Sequence, residues 1–432
     1  WGLQHRGDLH GNIYISGIFT DTVFFGTREA FMVSTDSLDA FIARFNSDGS
    51  ISWKNRLTGK GAEEIFDMEI VGDSGIVVSG AFDQTMEIDG QTFDHGGPYD
   101  YFIASFDSSG TMTKIRIGSD GDTELFSGEE LSFWDLAMNS KGNLCFTGTI
   151  ITRERNFMGI MNGLLEMLWV EEENETNGFH YSSIKTGPSD NIYLSGFRYP
   201  DETNVVKKIN TNSTAQWSTT FTGHSNTYLQ SVFVDNDTCV YWVSNLFTPV
   251  IFDQDNCNET ACLAKFDQDG NYLWNLGILG YLSSFIVQPN GTFVTIFKNS
   301  DRLLVVDSSG QVIYDQPPPD NIDIEYLATN SQGDILFCGS FIENIIVGEE
   351  TIESKGGDNY IFGVLKLAVS GNQGNNNQTT PDPDNLVQVY PNPARETVTV
   401  QTHGIKPISI RIIDIKGVTQ LAQTVASKDI CI

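Results

Sequence analysis

Basic residues and histidine are scarce in this sequence. Lys and Arg number 25 against 56 Asp and Glu, which gives a formal net charge of −31, and 6 of the 432 residues are His. Because nucleic-acid binding needs clustered cations to neutralise phosphates, this balance excludes a nucleic-acid partner. A strongly acidic chain of this kind suits a soluble surface protein that does not stick to its neighbours.

Long apolar runs and helical periods are also missing. The longest apolar run lies around 360–369, well short of the roughly 18–20 residues that a membrane span needs, so we expect no membrane span. No segment repeats apolar residues at helical spacing. Yet 40% of the residues are hydrophobic and 28 are Phe, which is too apolar for a disordered chain. The chain is long enough to bury a large core.

A short phrase recurs through most of the chain, and its clearest form is Gly-Asn-Ile-Tyr-Ile-Ser-Gly at 11–17. Further copies, some of them weak, end at Gly80, Gly148, Gly196, Asn245, Phe297 and Gly339. Successive end positions lie 42 to 68 residues apart. This spacing is close to the blade period of β-propellers, which is about 40–50 residues with insertions.

A second phrase follows the first. It reads Asp-Ala-Phe-Ile-Ala-Arg-Phe-Asn-Ser-Asp-Gly at 39–49 and recurs at 100–110, 261–270 and, shortened, 303–310. An aromatic residue four positions past the Gly begins a third strand, as at Trp53, Trp274 and Tyr314, and a fourth apolar stretch such as 66–71 closes each unit. Four short strands with Asp/Asn/Ser-Gly turns predict a four-stranded sheet per unit.

Seven such units predict an all-β fold, a seven-bladed β-propeller over residues 1–370, since radial repetition leaves only short strand edges. The seventh unit has a first strand near 334–341 and a second at 360–368, but no third or fourth. We expect residues 1–11 to supply the fourth strand of that blade and so close the ring. Because residue 1 is Trp and no signal peptide precedes it, we expect a processed or incomplete product whose missing third strand lies upstream.

The end of the chain changes in character. Residues 371–385 are polar and rich in Asn, which predicts a flexible linker. Apolar alternation resumes at Val387 and Val389 and continues through Ile408, Ile410 and Ile412. This pattern predicts a small Ig-like β-sandwich over residues 386–432.

The repeat resembles the bacterial seven-bladed β-propeller repeat of the SBBP type. That family's signature is Gly-Asn-x-Tyr-x-Ser/Thr-Gly, then Asp-Ala-Phe-x-x-Lys-x-Asp-x-x-Gly-x-x-x-Trp. The likeness covers about 1–370; it is close in the first two units and loose in the third, fourth and sixth. The resemblance implies the fold and a secreted protein, but no particular chemistry.

The tail resembles the type A C-terminal sorting domain of the type IX secretion system. Two blocks carry this likeness, Val-Tyr-Pro-Asn-Pro-Ala-Arg-Glu-Thr-Val-Thr-Val at 389–400 and Ile-Arg-Ile-Ile-Asp-Ile-Lys-Gly at 410–417. The sorting-signal residues are then Tyr390, Pro391, Asn392, Pro393, Asp414 and Gly417. The tail departs from the family after Ile432, where the last strands with a Gly-x-Tyr element are missing, so we expect it to be incomplete.

The tail resemblance implies a destination. It indicates a bacterium of the Bacteroidetes, export through the periplasm and the outer membrane, and a secreted or cell-surface product. The implied partners of residues 386–432 are the type IX translocon and an outer-membrane barrel shuttle protein. The alternative is an ordinary Ig-like spacer module.

Acidic turns are the candidates for a metal site. The segments 46–49, 107–110 and 267–270 carry Asp or Asn in positions that offer calcium ligands. Each occupies the same hairpin, where Asp and Gly serve the turn, so a structural role is favoured. The loop at 120–124 does not continue as an EF-hand, because Leu125 and Leu131 stand where Gly and Glu are required. We therefore predict no cofactor, with structural calcium as the alternative.

No catalytic constellation is visible. The histidines are scattered and form no zinc-binding pair: His5, His10, His95, His180, His224 and His403. Neither a nucleophile elbow nor a phosphate-binding loop is present. We predict no catalytic, cofactor-binding or metal residue, although a propeller site assembled from several blades would escape this kind of search.

Covalent features are predicted at a few positions. A turn over 258–261 brings Cys257 and Cys262 within disulfide reach, which fits an exported protein. We expect Cys145, Cys239 and Cys338 to be small buried hydrophobes and Cys431 to be free. Thr22 and Ser37 follow Asp in Asp-Thr-Val and Asp-Ser-Leu, which are similar to the O-glycosylation acceptor of these bacteria.

Three functions follow from this sequence. The first is a non-catalytic binding, adhesion or scaffold module that contacts a surface protein or glycan through its loops, the longest of which span 19–38 and 82–99. The second is a secreted enzyme that degrades polysaccharide or protein, and perturbed carboxylates or histidines clustered at one mouth of the channel would favour it. The third is a structural component of the surface secretion or motility machinery.

Overall fold

The computed structural model describes most of the chain up to residue 367 and short strands beyond it. The described residues are 4–20, 22–24, 31–34, 38–47, 50–94, 100–118, 131–150, 155–172, 178–198, 201, 203–223, 225, 230–252, 255–297, 300–316, 323–329, 335–341, 345–347, 350–352, 359–367, 386–389, 400–401, 408–413, 419–425 and 429–430. Among them are β-strands and one short 3₁₀ turn at Pro188–Asp190, and no α-helix. No helix in these ranges has the length and apolarity that a membrane crossing requires.

The strands are short and rich in Val, Ile and Phe, as the sequence predicts. The first are β1 (Gln4–Gly7), β2 (Ile13–Phe19), β3 (Thr22–Phe24), β4 (Phe31–Val33), β5 (Asp39–Phe45), β6 (Ile51–Gly59), β7 (Glu63–Val71), β8 (Gly75–Phe82), β9 (Thr85–Ile88), β10 (Gln91–Asp94), β11 (Asp100–Phe106), β12 (Met112–Ile117), β13 (Leu131–Met138), β14 (Leu144–Ile150), β15 (Arg155–Met161), β16 (Met167–Glu172), β17 (His180–Thr186), β18 (Ile192–Arg198), β19 (Thr203–Ile209) and β20 (Ala215–Thr222).

They continue with β21 (Ser231–Val234), β22 (Val240–Asn245), β23 (Val250–Phe252), β24 (Asp255–Cys257), β25 (Ala261–Phe266), β26 (Tyr272–Ile278), β27 (Leu282–Val287), β28 (Phe293–Phe297), β29 (Ser300–Val306), β30 (Val312–Gln316), β31 (Asp323–Thr329), β32 (Ile335–Phe341), β33 (Ile345–Val347), β34 (Glu350–Ile352), β35 (Asn359–Leu367), β36 (Leu386–Val389), β37 (Val400–Gln401), β38 (Ile408–Ile413), β39 (Thr419–Val425) and β40 (Asp429–Ile430).

Antiparallel strands form consecutive sheets that follow the chain. From first to outermost strand they are sheet A (β1-β2-β5-β6), sheet B (β7-β8-β11-β12), sheet C (β13-β14-β15-β16), sheet D (β17-β18-β19-β20), sheet E (β21-β22-β25-β26), sheet F (β27-β28-β29-β30) and sheet G (β31-β32-β35-β36). Two further pairs, β37-β40 and β38-β39, lie in the tail.

The first strands form a closed ring. Each lies beside the first strand of the next sheet, from β1 through β7, β13, β17, β21 and β27 to β31, and β31 lies beside β1. At this junction His5, on β1, is buried beside the backbone of Leu336 on β32. The sheets therefore surround a channel lined by their first strands, which is the arrangement of a β-propeller.

Apolar residues of facing sheets fill the spaces between them. Between sheets A and B, Tyr14, Ile42 and Leu57 pack with Val78 and Phe82 in one buried cluster. Equivalent clusters join B to C, C to D, D to E, E to F and F to G. Burial of a side chain as large as Phe contributes about 1.5–3 kcal/mol, so these clusters are the main source of stability.

In several sheets an aromatic residue just after the turn between the third and fourth strands fastens one sheet to the next. In sheet A, the Nε1–H of Trp53 donates to the carbonyl oxygen of Ser108 in sheet B, at 3.1 Å. In sheet D, the Nε1–H of Trp217 donates to Gln268 of sheet E, at 2.9 Å. The Trp217 ring covers Gly270, where φ is +82° and an added Cβ would lie 2.6 Å from the ring. These contacts explain why Gly and Trp recur together in the repeat.

The predicted role of the N-terminus is wrong. β1 pairs with β2 in sheet A, from Gln4↔Ser16 to Gly7↔Ile13, instead of adding a fourth strand to the last sheet. The stretch 66–71, predicted to close the first unit, belongs to β7, the first strand of sheet B. The tight turn between Val71 and Gly75 joins β7 to β8 as a hairpin, and such a hairpin decides which sheet an inner strand joins.

The outer strand of sheet G comes from the tail. β36 pairs antiparallel with β35, from Val364↔Val389 to Leu367↔Leu386. Its residues, 386–389, are the first four of the range that the sequence assigned to the sorting domain. The expected linker at 371–385 lies outside the described residues.

Extra hairpins are inserted between the second and third strands of sheets A, B, E and G: β3–β4, β9–β10, β23–β24 and β33–β34. The first two fill the connections that the sequence analysis predicted to be the longest loops. Asp89 and Gly90 both have positive φ in the β9–β10 turn, at 49° and 72°, as a type I′ hairpin requires. This hairpin pairs with β6, and β23 pairs with β20, so each extends the edge of the preceding sheet.

Candidate binding site at the channel mouth

The antiparallel order gives the ring two different faces. One face, here the mouth face, carries the connections that lead from each outer strand to the next first strand, together with the inserted hairpins. The other, the turn face, carries the tight turns between first and second strands and between third and fourth strands. A first strand starts at the mouth face, so its early residues line the channel near the mouth.

Most first strands contain a β-bulge near the mouth. Register shifts occur between Ile65 and Asp67, Phe133 and Asp135, Tyr181 and Ser183, Leu282 and Ser284, and Ile324 and Tyr326. A bulge leaves one residue out of the ladder and redirects its side chain. The residues so placed are Phe66, Trp134, Ser182, Ser283 and Glu325.

The residue after the bulge binds the next sheet. Oδ2 of Asp67 accepts the backbone N–H of Leu136, and Oδ2 of Asp135 accepts that of Ile184, both at 2.8 Å. Two serines act in the same way: Ser183 accepts the N–H of Val232 at 3.4 Å and Ser284 accepts the N–H of Leu327 at 2.9 Å. We call these four contacts the inter-sheet clasps.

Two cations compensate the clasp carboxylates. The guanidinium of Arg6, on β1, lies 2.7 Å from Oδ1 of Asp67 and 3.4 Å from Oε1 of Glu69. The Nζ of Lys185, on β17, lies 3.1 Å from both oxygens of Asp135. An ionic network thus spans the channel wall from sheet A to sheet D, and its cations are already paired.

The pKa values of the two clasp carboxyl groups are shifted in opposite directions. Burial raises the pKa of Asp67 to about 7, an effect that Arg6 opposes and the neighbouring charge of Asp135 reinforces. Burial works against ionisation of Asp135 too, but Lys185, the hydrogen bond from Asp67 and the N–H of Ile184 lower its pKa below the ordinary value. Below about pH 7, Asp67 is therefore protonated beside an ionised Asp135.

Aromatic side chains line the mouth above this network. Phe66 stacks on Trp134 with ring centroids 5.9 Å apart and 25° between the planes, and Tyr101 lies 6.2 Å from Phe66 on its other side. The indole of Trp134 is held by its Nε1–H, which donates to Oγ1 of Thr149 at 2.8 Å, and this hydroxyl donates to Asn156. Trp134 is nevertheless 38% exposed. We call Tyr101, Phe66 and Trp134 the aromatic strip.

A second apolar group lies on the same face, in sheets E and F. Phe247, Leu279 and Tyr281 are 61%, 68% and 50% exposed. Thr260 ties their loops together, because its carbonyl accepts the N–H of Leu246 and its hydroxyl accepts the N–H of Gly280. The mouth face therefore presents large apolar side chains on well-anchored loops.

The turn face uses its acidic residues internally. Oδ1 of Asp107 accepts the N–H groups of Ser109 and Thr111, and Oδ1 of Asp267 accepts those of Asp269 and Asn271. These are the carboxylates that the sequence offered as calcium ligands, and they serve their turns. Within the described part of the chain, no group of three or more His, Cys, Asp or Glu is arranged to hold a metal ion.

The other residues named from the sequence are dispersed. Cys257 and Cys262 form a disulfide, with Cα atoms 6.1 Å apart, that ties β24 to β25. Thr22 lies half-buried on β3. The remaining named positions lie outside the described residues: Ser37, Tyr390, Pro391, Asn392, Pro393, Asp414 and Gly417.

The clasps and the aromatic strip were missed by the sequence reasoning. A signal was available, because Asp67, Asp135 and Ser183 each stand thirteen residues before the Gly that ends the recurring phrase, at Gly80, Gly148 and Gly196. The bulge residue stands one position earlier. Unless the strand pairing is known, however, nothing distinguishes this spacing from any other in the repeat.

Comparison with known proteins identifies the tail. Residues 388–430 match the family model described as a secretion system C-terminal sorting domain. No curated protein matches the chain. The remaining comparisons concern solved structures.

Solved structures with some likeness include several propellers. The Dos1 propeller is 13% identical, over 78% of this chain and 92% of that one, with a TM-score of 0.45. Virginiamycin B lyase from Staphylococcus aureus is 12% identical, over 78% and 96%, with a TM-score of 0.44. A protein of unknown function from Bacteroides caccae is 11% identical, over 56% and 79%, with a TM-score of 0.39. None of these functions is carried over to this chain.

Proposed function

We propose that this chain, which its C-terminal sorting domain directs through the type IX secretion system to the cell surface or the medium, is a seven-bladed propeller of the SBBP type that acts as a non-catalytic binding module. Sheets A to G are the blades. The ligand binds at the mouth face. On export, the type IX translocon and an outer-membrane barrel shuttle protein handle residues 386–432.

One observation carries this proposal: the side chains of the channel and those of its mouth have different roles. Inside the channel, each clasp carboxylate has one oxygen on a backbone N–H and a cation nearby. These groups are engaged in joining the blades. At the mouth, Trp134 is exposed although its indole is fixed by hydrogen bonds. Rigid exposed aromatic groups are characteristic of binding surfaces.

The choice of face follows from a second difference. Among the described residues, the exposed aromatic side chains Trp134, Phe247 and Tyr281 are on the mouth face, whereas exposed residues of the turns such as Leu9 and Leu164 are aliphatic. The inserted hairpins of the mouth face vary in presence from blade to blade. The turn face repeats one hydrogen-bonded turn in blade after blade. Variable loops on a rigid scaffold are where binding residues concentrate.

The carboxyl pair favours a second function, a secreted enzyme that degrades polysaccharide or protein. Asp67 and Asp135 come from different blades, and their pKa values are moved in opposite directions. Such a pair suits a proton donor beside an ionised partner. What weighs against this function is that both groups are already engaged in clasps. A structural role in the surface machinery is the third candidate, separable by stable co-purification with the translocon.

A binding screen with the purified full chain tests the proposal. The chain is presented to immobilised surface glycans and to outer-membrane proteins of the producing bacterium, and hydrolysis of the same glycans and of casein is followed in parallel. Binding without turnover, lost in Trp134→Ala or Phe247→Ala, is the expected result. Turnover that disappears in Asp67→Asn would replace the proposal with the enzyme.

A further inference from the structure

We propose that the aromatic strip is a subsite for a neutral glycan; this rests on the proposed function and names its ligand class. The strip comprises Tyr101, Phe66 and Trp134, which join blades B and C across the channel mouth.

The exposure of Trp134 has no structural explanation. Other tryptophans in the described residues fasten blades together, as Trp53, Trp169 and Trp217 do through their Nε1–H bonds to the next blade, or are fully buried, as Trp242 is. Trp134 instead bonds within its own sheet, to Thr149, and leaves more than a third of its surface in water. Keeping so large an apolar surface exposed is unfavourable unless a ligand covers it.

The indole is also fixed in orientation before any ligand arrives. Thr149 accepts its Nε1–H at 2.8 Å, Asn156 accepts the Thr149 hydroxyl at 3.0 Å, and Phe66 stacks on the indole ring. A ligand that lies flat on the ring therefore loses no binding free energy to ordering the side chain. The C–H face of a pyranose ring is a ligand of this shape, and it contacts an aromatic ring through many weak attractions.

Polar, uncharged side chains flank the strip among the described residues of sheets C and D. Thr149 and Asn156 lie on one side, and Ser182 follows Trp134 at the equivalent bulge position of the next blade, where its hydroxyl bonds Gln230. Hydroxyl and amide groups of this kind exchange hydrogen bonds with sugar hydroxyls.

Charge excludes acidic sugars. The nearby channel cations, Arg6 and Lys185, are paired with Asp67, Glu69 and Asp135, and the whole chain carries a net charge of −31. A polyanion would be repelled by this net charge, and these two cations are already engaged. The ligand chemistry that fits is therefore a neutral hexose or pentose chain.

The size of the strip favours a glycan over a folded protein. Three aromatic rings bury about 150–250 Å² each when fully covered, and here most of that area is already buried. A stable protein interface needs about 800 Å² on each partner. The strip is too small for such an interface but matches one or two sugar rings.

Affinity electrophoresis of the full chain tests this inference. The probes are four neutral polysaccharides, xylan, laminarin, mannan and soluble starch, and two acidic ones, alginate and polygalacturonate. We expect at least one neutral polymer to retard the protein and neither acidic polymer to do so. Trp134→Ala should weaken the retardation constant at least tenfold, and Thr149→Val, which frees the indole, should weaken it several-fold.

Leu164→Ala is the matched control, because Leu164 is a large apolar residue, 62% exposed, that lies in the same blade as Trp134 but on the turn face; it should bind as the wild type does. An unchanged melting temperature of Trp134→Ala shows that the blade is intact. Retardation by alginate, or neutral binding that survives Trp134→Ala, would overturn the inference. If no polysaccharide binds but an outer-membrane protein does, the glycan subsite is refuted and the binding module stands; if neither binds, both are refuted.

Discussion

Asp67 and Asp135, on the first strands of two neighbouring blades, both accept the backbone N–H of Leu136, at 2.8 Å and 3.1 Å. Asp135 also accepts the N–H of Ile184 from the blade that follows, so these carboxyl groups are both structural clasps and titrating groups. This arrangement makes stability depend on pH in a direction that is unusual for a carboxyl group.

The first prediction concerns Asp67. Its pKa rises from the ordinary 3.8 to about 7 in the folded chain, so the folded state retains a proton that the unfolded state releases. The resulting stabilisation is complete below about pH 4 and is lost as the pH rises through 7. We expect the melting temperature of the wild type, relative to that of Asp67→Asn, to fall between pH 5 and pH 8. Parallel curves for the two proteins would show that Asp67 is ionised throughout.

His5 should have the opposite effect. Burial and the charge of Arg6 lower the pKa of His5 from 6.5 to about 4, so the folded state binds fewer protons than the unfolded state over this window. Stability conferred by the neutral ring is present above about pH 6.5 and lost as the pH falls to 4. His5→Gln keeps a hydrogen-bonding side chain at the junction with Leu336. Its melting temperature should fall less steeply on acidification; equal acid sensitivity of both proteins would contradict the assignment.

A serine clasp can be tested without changing charge. Ser284→Ala leaves the backbone N–H of Leu327 without its acceptor, and an unsatisfied buried N–H costs about 1–3 kcal/mol. The neighbouring Ser283→Ala is the control, because the Ser283 hydroxyl makes a long 3.4 Å bond within its own sheet. Chemical denaturation should separate the two variants. Equal stability would mean that the clasp contributes nothing.

The contact between Gly270 and Trp217 allows two destabilising effects of a side chain at a turn to be measured separately. One is the strained backbone conformation, and the other is steric overlap with the ring. Gly270→Ala adds a Cβ 2.6 Å from the Trp217 ring at φ +82°, whereas Gly142→Ala, at φ +75°, meets nothing within 4 Å. Both variants bear the conformational cost of about 1 kcal/mol, and only the first displaces the ring. We expect Gly270→Ala to be destabilised by at least about 1–2 kcal/mol more, measured by urea unfolding. Equal losses would show that the ring moves freely.

Because β36 belongs to sheet G, the position at which the tail is truncated should affect stability separately from export. Removal of residues 390–432 keeps β36 in sheet G, whereas removal of 386–432 exposes the edge of β35. In the producing bacterium, both truncated chains should remain in the periplasm, because the matched sorting region is 388–430. The shorter chain alone should melt at a lower temperature. Surface delivery of either chain would refute the role of the tail.

Much of the architecture could be predicted from the sequence, because the repeated phrases correspond to strands and turns that form locally. The phrases ending at Gly17 and Gly80 form strands, as predicted, although each is the second strand of its sheet and not the first, and the Asp-Gly turns between third and fourth strands recur on one face. Strand and turn are fixed by neighbours along the chain, so a local pattern suffices. The carboxylates of Asp107 and Asp267 accept backbone N–H groups of these turns, which is a contact between neighbours along the chain.

The sequence did not show where each sheet begins within the repeat, or which side chains of different blades contact one another. A cyclic pattern does not mark where one sheet ends, so residues 4–7 were assigned to the last blade although they pair with β2. The pairing of Asp67 with Arg6 joins residues on different blades, 61 positions apart. Contacts of this kind form only when the sheets close into a ring, so the sequence of a single strand does not predict them.

Hydrogen exchange of the full chain, alone and with outer-membrane vesicles of the producing bacterium, tests the central claim most directly. Because the ligand binds at the mouth face, bound vesicles should slow amide exchange at 64–67, 132–135 and 279–281. Exchange in the turns at 107–111 and 267–271 should be unchanged. Protection confined to those turns would contradict the assignment of the binding face.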